Sequence, residues 1–235
     1  MLYVTGDTHG EQGRFRNRDF SIAGHLKEED KLFICGDFGF VFHNDKAEQE
    51  FLSWLANRPY MVLFVDGNHE NFDALETYQV EEWCGGKVHV IARNKDNLPK
   101  VIHLMRGQVY EIEGKKIFTF GGAYSIDKEY REEGISWWTQ EMPTDLEMKE
   151  AADNLAKHNN EVDFILTHAA PEDTMNIFHK YHPNEKALNN FLEWVRENVK
   201  YRHWWFGHLH LDEDLWRKQT VLWFSVRNMI NNEDI

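Results

Sequence analysis

The nine residues Leu2-Tyr3-Val4-Thr5-Gly6-Asp7-Thr8-His9-Gly10 hold the plan of this protein. A short apolar run stops at a small residue, and a carboxylate and an imidazole follow at once. An apolar run of this length, without polar alternation, fits a strand buried on both faces. The same device returns along the chain. Leu32-Phe33-Ile34-Cys35 runs into Gly36-Asp37, and the run 61–65 leads into Asp66-Gly67-Asn68-His69. Phe164-Ile165-Leu166 leads into Thr167-His168, and Trp204-Trp205-Phe206 into Gly207-His208-Leu209-His210.

Between these runs lie helical signals. Asn44 is placed to cap a helix whose Phe51, Leu52, Trp54 and Leu55 recur at helical spacing and which ends before Pro59. Thr144 and Glu147 form a capping-box pattern that opens a helix to about Lys157. Leu188, Phe191, Leu192 and Val195 mark a third amphipathic helix. Residues 108–112 and 116–120 flank Glu113-Gly114-Lys115 as a hairpin, and 211–226 also reads as hairpin strands. Strands alternating with helices predict an α/β fold, one sheet or a pair covered by helices, with ligands at the carboxyl ends of the strands. No repeat or Gly/Ser-rich linker interrupts the 235 residues. One domain over 1–235 is expected, with 121–143 as a loop insertion near the site.

Carboxylate and amide oxygens mixed with imidazole nitrogens suit Mn2+, Fe and Zn2+ better than an all-sulfur site would. Asp7-x-His9 and His208-x-His210 would each place two side chains on one side of an extended strand end, because alternate residues share a face. A single such pair says little. Five strand exits that all end in ligand-type residues say much more.

In chain order, Gly6-Asp7-Thr8-His9-Gly10, Gly36-Asp37, Gly67-Asn68-His69-Glu70, Thr167-His168 and Gly207-His208-Leu209-His210 resemble the calcineurin-like metallophosphoesterase superfamily over residues 5–210. The resemblance implies a β-sandwich of two mixed sheets flanked by helices, with a dinuclear centre at the strand ends. It implies one metal on Asp7, His9, Asp37 and His210, and a second on Asp37, Asn68, His168 and His208, with Asp37 as the bridge. It also implies that His69 contacts substrate and protonates the leaving group. The cofactor expected is a pair of divalent ions, Mn2+ first, with Fe, Zn2+ or Ni2+ as alternatives. Two such ions about 3.5–4 Å apart can share a carboxylate and a bridging hydroxide that attacks phosphorus in line. The protein Ser/Thr phosphatases of this superfamily add an Asp and an Arg after the second motif. Here that stretch reads Gly36-Asp37-Phe38-Gly39-Phe40-Val41-Phe42, and both are missing.

The segment 121–143 is the most individual part of the chain. Tyr124, Trp137 and Trp138 are candidates to stack on a substrate, and Arg131 to hold a second phosphate. The competing reading has the tryptophans packed into the domain. The formal net charge is −14, from 40 Asp plus Glu against 26 Lys plus Arg. That balance disfavours extended nucleic-acid binding, so the expected partner is a small phosphate ester, nucleotide-like ones included. Two cysteines, Cys35 and Cys84, give no disulfide framework. The first residues carry no signal-peptide pattern and no apolar stretch approaches the roughly 20 residues of a membrane helix. A cytoplasmic protein with no membrane partner is therefore expected. The rival functions are a nuclease or RNA-debranching phosphodiesterase, and a non-catalytic scaffold of the same fold.

Overall fold

The computed structural model describes residues 1–16 and 24–234. The elements run β1 (Leu2–Thr5), α1 (Gly13–Arg16), β2 (Lys31–Ile34), α2 (Lys46–Ala56), β3 (Met61–Phe64) and α3 (Phe72–Leu75). Then come β4 (Val80–Trp83), β5 (Gly86–Arg93), β6 (Pro99–Leu104), β7 (Gln108–Ile112), β8 (Lys115–Phe120) and α4 (Asp145–Lys157). The chain continues through β9 (Phe164–Thr167), α5 (Glu172–Ile177), α6 (Lys186–Asn198), β10 (His203–Phe206), β11 (Glu213–Leu215), β12 (Gln219–Val221) and β13 (Val226–Asn228). They form two mixed sheets, ordered β13-β1-β2-β3-β6-β5-β4 and β11-β12-β10-β9-β8-β7.

The uninterrupted apolar runs are explained by two different cores on the two faces of each strand. In β1 to β3, Val4, Phe33 and Leu63 join a cluster with Phe164, Leu166 and Trp205 of the other sheet. Their neighbours Tyr3, Leu32, Ile34, Val62 and Phe64 turn the other way, onto Phe51, Leu52 and Leu55 of α2. In β9 and β10, Ile165, Trp204 and Phe206 face Ala151 and Leu155 of α4 and Leu188, Leu192 and Val195 of α6. The period-2 alternation of a strand thus sorts every residue into the intersheet core or a helix-covered one. The result is a sandwich with helices outside both sheets.

The helices follow their caps. Thr144 and Glu147 make the reciprocal capping box at the start of α4. At α2 the cap is Asp45, whose side chain accepts from the Glu48 N–H at 2.9 Å, and not Asn44 as the sequence suggested. Asn44 sits one residue too early, at φ +51°. A second correction concerns the chain's end. Residues 213–221 form the expected antiparallel hairpin, but β13 leaves it and pairs antiparallel with β1 in the first sheet. Strands β4 and β5, which extend the first sheet beyond β6, had no counterpart in the sequence reading.

What places the site is register. β1, β2 and β3 are parallel, with Thr5, Ile34 and Phe64 level at their ends. β9 and β10 are parallel in the second sheet, with Leu166 opposite Trp205. Five carboxyl ends therefore open onto one edge of the sandwich. No helix among the described residues is long and apolar enough to cross a membrane.

Candidate metal centre

The exits of β1, β2 and β3 deliver Asp7, Asp37 and Asn68, and those of β9 and β10 deliver His168, His208 and His210. Among the described residues, Asp7, His9 and His210 bring one ligand atom each within 4.8 Å of one another, and so do Asp7, Asp37 and His168. On one side, His9 Nε2 lies 2.9 Å from His210 Nε2, and His210 Nε2 lies 3.2 Å from Asp7 Oδ2. On the other, His168 Nε2 lies 3.1 Å from Asn68 Oδ1 and 3.5 Å from Asp37 Oδ1. Asp37 stands between the two groups, with Oδ2 at 3.8 Å from His9 Nε2. His208 stands further back, its ring 4.9 Å from that of His168 and its Nε2 3.9 Å from Glu185 Oε2. The structure thus gathers all seven sequence candidates at one edge.

It does so by a different device from the one the sequence suggested. The paired residues of Asp-x-His and His-x-His do not share a face of an extended strand. His9, Asp37, His208 and His210 all have positive φ, at +46°, +47°, +66° and +53°. A left-handed backbone costs a non-glycine residue roughly 1–2 kcal/mol. Hydrogen bonds hold these turns closed. Thr8 and His9 both donate their N–H to the Asp37 carbonyl, at 3.1 and 2.7 Å, and Leu209 donates to Gly207 at 2.7 Å. Non-glycine residues in this region concentrate at functional sites, where the surrounding structure imposes them. Two glycines give the carboxylates room. A Cβ on Gly67 would run into the Asp37 carboxylate, and one on Gly207 into that of Asp7.

Hydrogen bonds also decide which atoms face inward. His168 donates its Nδ1–H to the Cys35 carbonyl at 2.7 Å, which makes Nε2 the nitrogen that faces Asn68 and Asp37. Asn68 donates its Nδ2–H to Ser125 Oγ at 3.0 Å, so Oδ1 turns toward His168. Asp37 Oδ1 accepts from the His69 N–H at 2.8 Å, and both oxygens of Asp7 accept from the His208 N–H at 3.0 and 3.1 Å. Burial alone would raise the Asp37 carboxyl, yet the surrounding His168, His69 and His9 hold its pKa down at about 2. Burial would lower His168, but Asp37 and Asp7 raise it. The Asp7 hydrogen bond raises His210. Oxygen and nitrogen ligand atoms that face one another over 3–4 Å, buried at Asp7, Asp37, Asn68 and His168 and open to solvent at His210, suit hard or borderline divalent cations.

The imidazole of His69 lies beside this set, its ring centroid 5.4 Å from that of His9. Burial, and after it the charge of Arg131, hold the His69 pKa below its ordinary value, against the pull of Asp37. Asp66 and Glu70, its sequence neighbours, are committed elsewhere. Asp66 is paired with Arg106 at 2.6 Å and with His103 at 3.1 Å. Glu70 accepts from the Phe38 N–H at 2.7 Å. A cavity of about 320 Å3 opens over Asp37, Asn68, His69 and His208, with Tyr124 and Lys180 on its walls.

The remaining candidates are placed unequally. Tyr124 is at the cavity, but its ring stacks on His182 at 4.6 Å and its hydroxyl accepts from Asn184 at 2.8 Å. Trp137 lies beneath Lys128, whose Nζ is 4.7 Å from its ring. Trp138 is buried and donates its Nε1–H to Asp73 at 2.9 Å, as a packing residue would. Arg131 meets His69 itself, at 2.8 Å. Ser125 and Glu185, which touch Asn68 and approach His208, had no signal in the sequence, since nothing local distinguishes them from any other serine or glutamate.

A family model described as calcineurin-like phosphoesterase matches residues 1–212. No curated protein matches the chain. Among solved structures, a phosphopantetheinyl hydrolase from Mycobacterium tuberculosis is similar over 94% of this chain and 86% of its own, at 16% identity and a TM-score of 0.44. A protein of unknown function from Aquifex aeolicus is similar over 73% of this chain and 81% of its own, at 20% identity and a TM-score of 0.33.

Proposed function

This chain belongs to the calcineurin-like phosphoesterase family, and we propose that it is a two-metal hydrolase of a small phosphomonoester or phosphodiester. The observation that carries this reading is the placement of Asp37 between two groups of inward ligand-type atoms, one oxygen toward His168 and the other toward His9. On it, Asp7, His9, Asp37 and His210 would hold one cation, and Asp37, Asn68, His168 and His208 the other. Mn2+ is the first choice for both. Bound there, the pair would supply Lewis acidity that neutralises phosphoryl charge and activates water for in-line attack.

The chain's own residues supply orientation and proton handling. Cys35 sets the tautomer of His168, and Ser125 sets the amide of Asn68, so the donor set is arranged in advance. His69 is the ring on the substrate side, adjacent to Asn68, placed to hydrogen-bond the phosphoryl group or pass a proton to the leaving oxygen. We read residues 1–235 as one domain, with 121–143 as the loop that furnishes the cavity wall. The cavity of about 320 Å3 and the net charge of −14 favour a small ester over a nucleic-acid duplex.

The test is hydrolysis of bis-p-nitrophenyl phosphate and p-nitrophenyl phosphate by EDTA-stripped protein refilled with Mn2+, Ni2+, Zn2+ or Mg2+. Turnover restored by metal, with a preference between the two esters, is the expected result. Stoichiometric metal binding without turnover of either ester would favour the non-catalytic scaffold.

A further inference from the structure

The segment 121–143 meets His69 through one arginine. Asp127 and Arg131 flank a 3₁₀ turn at Lys128–Tyr130, which sets their side chains side by side. Arg131 Nε and Nη2 lie 2.9 and 2.7 Å from Asp127 Oδ2. Its Nη1 lies 2.8 Å from His69 Nδ1 and 3.2 Å from the Ser136 carbonyl, and Nη2 lies 3.3 Å from His69 Nε2. Its side chain is 19% exposed.

A guanidinium offers five N–H donors and keeps its protons at any ordinary pH. Two of Arg131's donors go to Asp127, one to Ser136 and one to His69 Nδ1, and the fifth points along the His69 ring. Little is left to bind a phosphate, the role that the sequence suggested for it. Among the described residues, Arg131 is also the only hydrogen-bond partner of the His69 ring. Because the guanidinium cannot accept, the imidazole nitrogen it meets must offer a lone pair. The shorter contact picks Nδ1, and the proton of neutral His69 then sits on Nε2.

We propose that Arg131, clamped by Asp127, is the positioning residue for His69. It fixes the ring's orientation and tautomer so that Nε2–H is the donor the ring offers to substrate. This rests on His69 being the substrate-side imidazole of the function proposed above. It gives the chain, from a distant loop, a partner for His69 where the stretch after Gly36-Asp37 supplies neither Asp nor Arg.

Long-range 1H–15N spectra report which ring nitrogen carries the proton, with His69 assigned by the signals lost in His69→Asn. They are recorded with and without Zn2+, which is diamagnetic. The expected result is an Nε2–H tautomer in the wild type, a tautomer mixture in Arg131→Met, and a smaller change in Asp127→Asn, whose site is half exposed. In Mn2+-loaded protein acting on bis-p-nitrophenyl phosphate, both variants should lower kcat, Arg131→Met on the order of 10–100-fold, with KM within about twofold. Arg131→Lys should recover part of the loss. An unchanged His69 tautomer in Arg131→Met would overturn the proposal, as would a loss carried wholly by KM, which would make Arg131 a substrate binder. If no metal restores turnover, the function fails on its own, and the spectra still decide the positioning.

Discussion

His168 donates its Nδ1–H to the Cys35 carbonyl over 2.7 Å, a bond that joins the exit of β9 in one sheet to the exit of β2 in the other. It turns Nε2 toward Asn68 Oδ1 and Asp37 Oδ1, at 3.1 and 3.5 Å. Three ligand-type atoms from three strands then face one point. Bringing them together serves a cation far better than it serves the protein without one.

Asp37→Asn keeps the acceptor for the His69 N–H but removes the charge that faces both groups. Bound Mn2+ after loading and gel filtration should fall below one ion per chain, with turnover down on the order of 100-fold or more. Elemental analysis that still finds two ions per chain would show that Asp37 is not shared.

Ser125→Ala leaves Asn68 without the acceptor for its Nδ2–H, so the amide can turn its oxygen away from His168. Titration calorimetry with Mn2+ should show one of two sites weakened, on the order of 10–100-fold, and the other unchanged. Equal weakening of both sites, or of neither, counts against the assignment of Asn68 to a single cation.

The stability contributed by neutral His203 and His89 should fall as pH drops from about 6.5 toward 4. Burial holds the pKa of His203 at about 4, and burial followed by the nearby His103 does the same for His89. An unfolded histidine titrates near 6.5, so the unfolded chain takes up these protons first. The contribution is complete above the unfolded value and is lost on the way down, at up to about 1.4 kcal/mol per pH unit for each group. Urea midpoints of EDTA-treated protein at pH 7.5, 6 and 5 would show it. His203→Asn should flatten the slope, and an identical slope would mean that His203 is not held neutral.

Trp204→Ala should destabilise by about 3–5 kcal/mol, because it empties a fully buried position between β10 and the helices and removes the Nε1–H that donates to the Thr167 hydroxyl at 2.8 Å, leaving that hydroxyl only its own bond to the Ala169 carbonyl. A urea midpoint shifted by less than a third of that amount would mean the core closes over the gap.

The sequence by itself determined what depends on neighbours in the chain. Runs such as Leu32–Cys35 read as doubly buried strands because both of their faces are apolar, and Thr144 with Glu147 read as a helix start because a capping box is complete within four residues. The seven candidate ligands were legible for the same reason, since each follows its strand at once. Where a rule left one residue of freedom, the reading slipped, as at Asn44 and Asp45. What only the tertiary structure decided is how those exits face one another. Four of the seven reach inward through left-handed backbone, held by bonds from Thr8 and His9 to the Asp37 carbonyl and by a local bond from Leu209 to Gly207, not through strand alternation. The tautomer of His168, the amide of Asn68 and the partner of His69 come from Cys35, Ser125 and Arg131, which lie 133, 57 and 62 residues away in sequence. Pairing across such distances depends on strand register and sheet packing, and no local pattern encodes it.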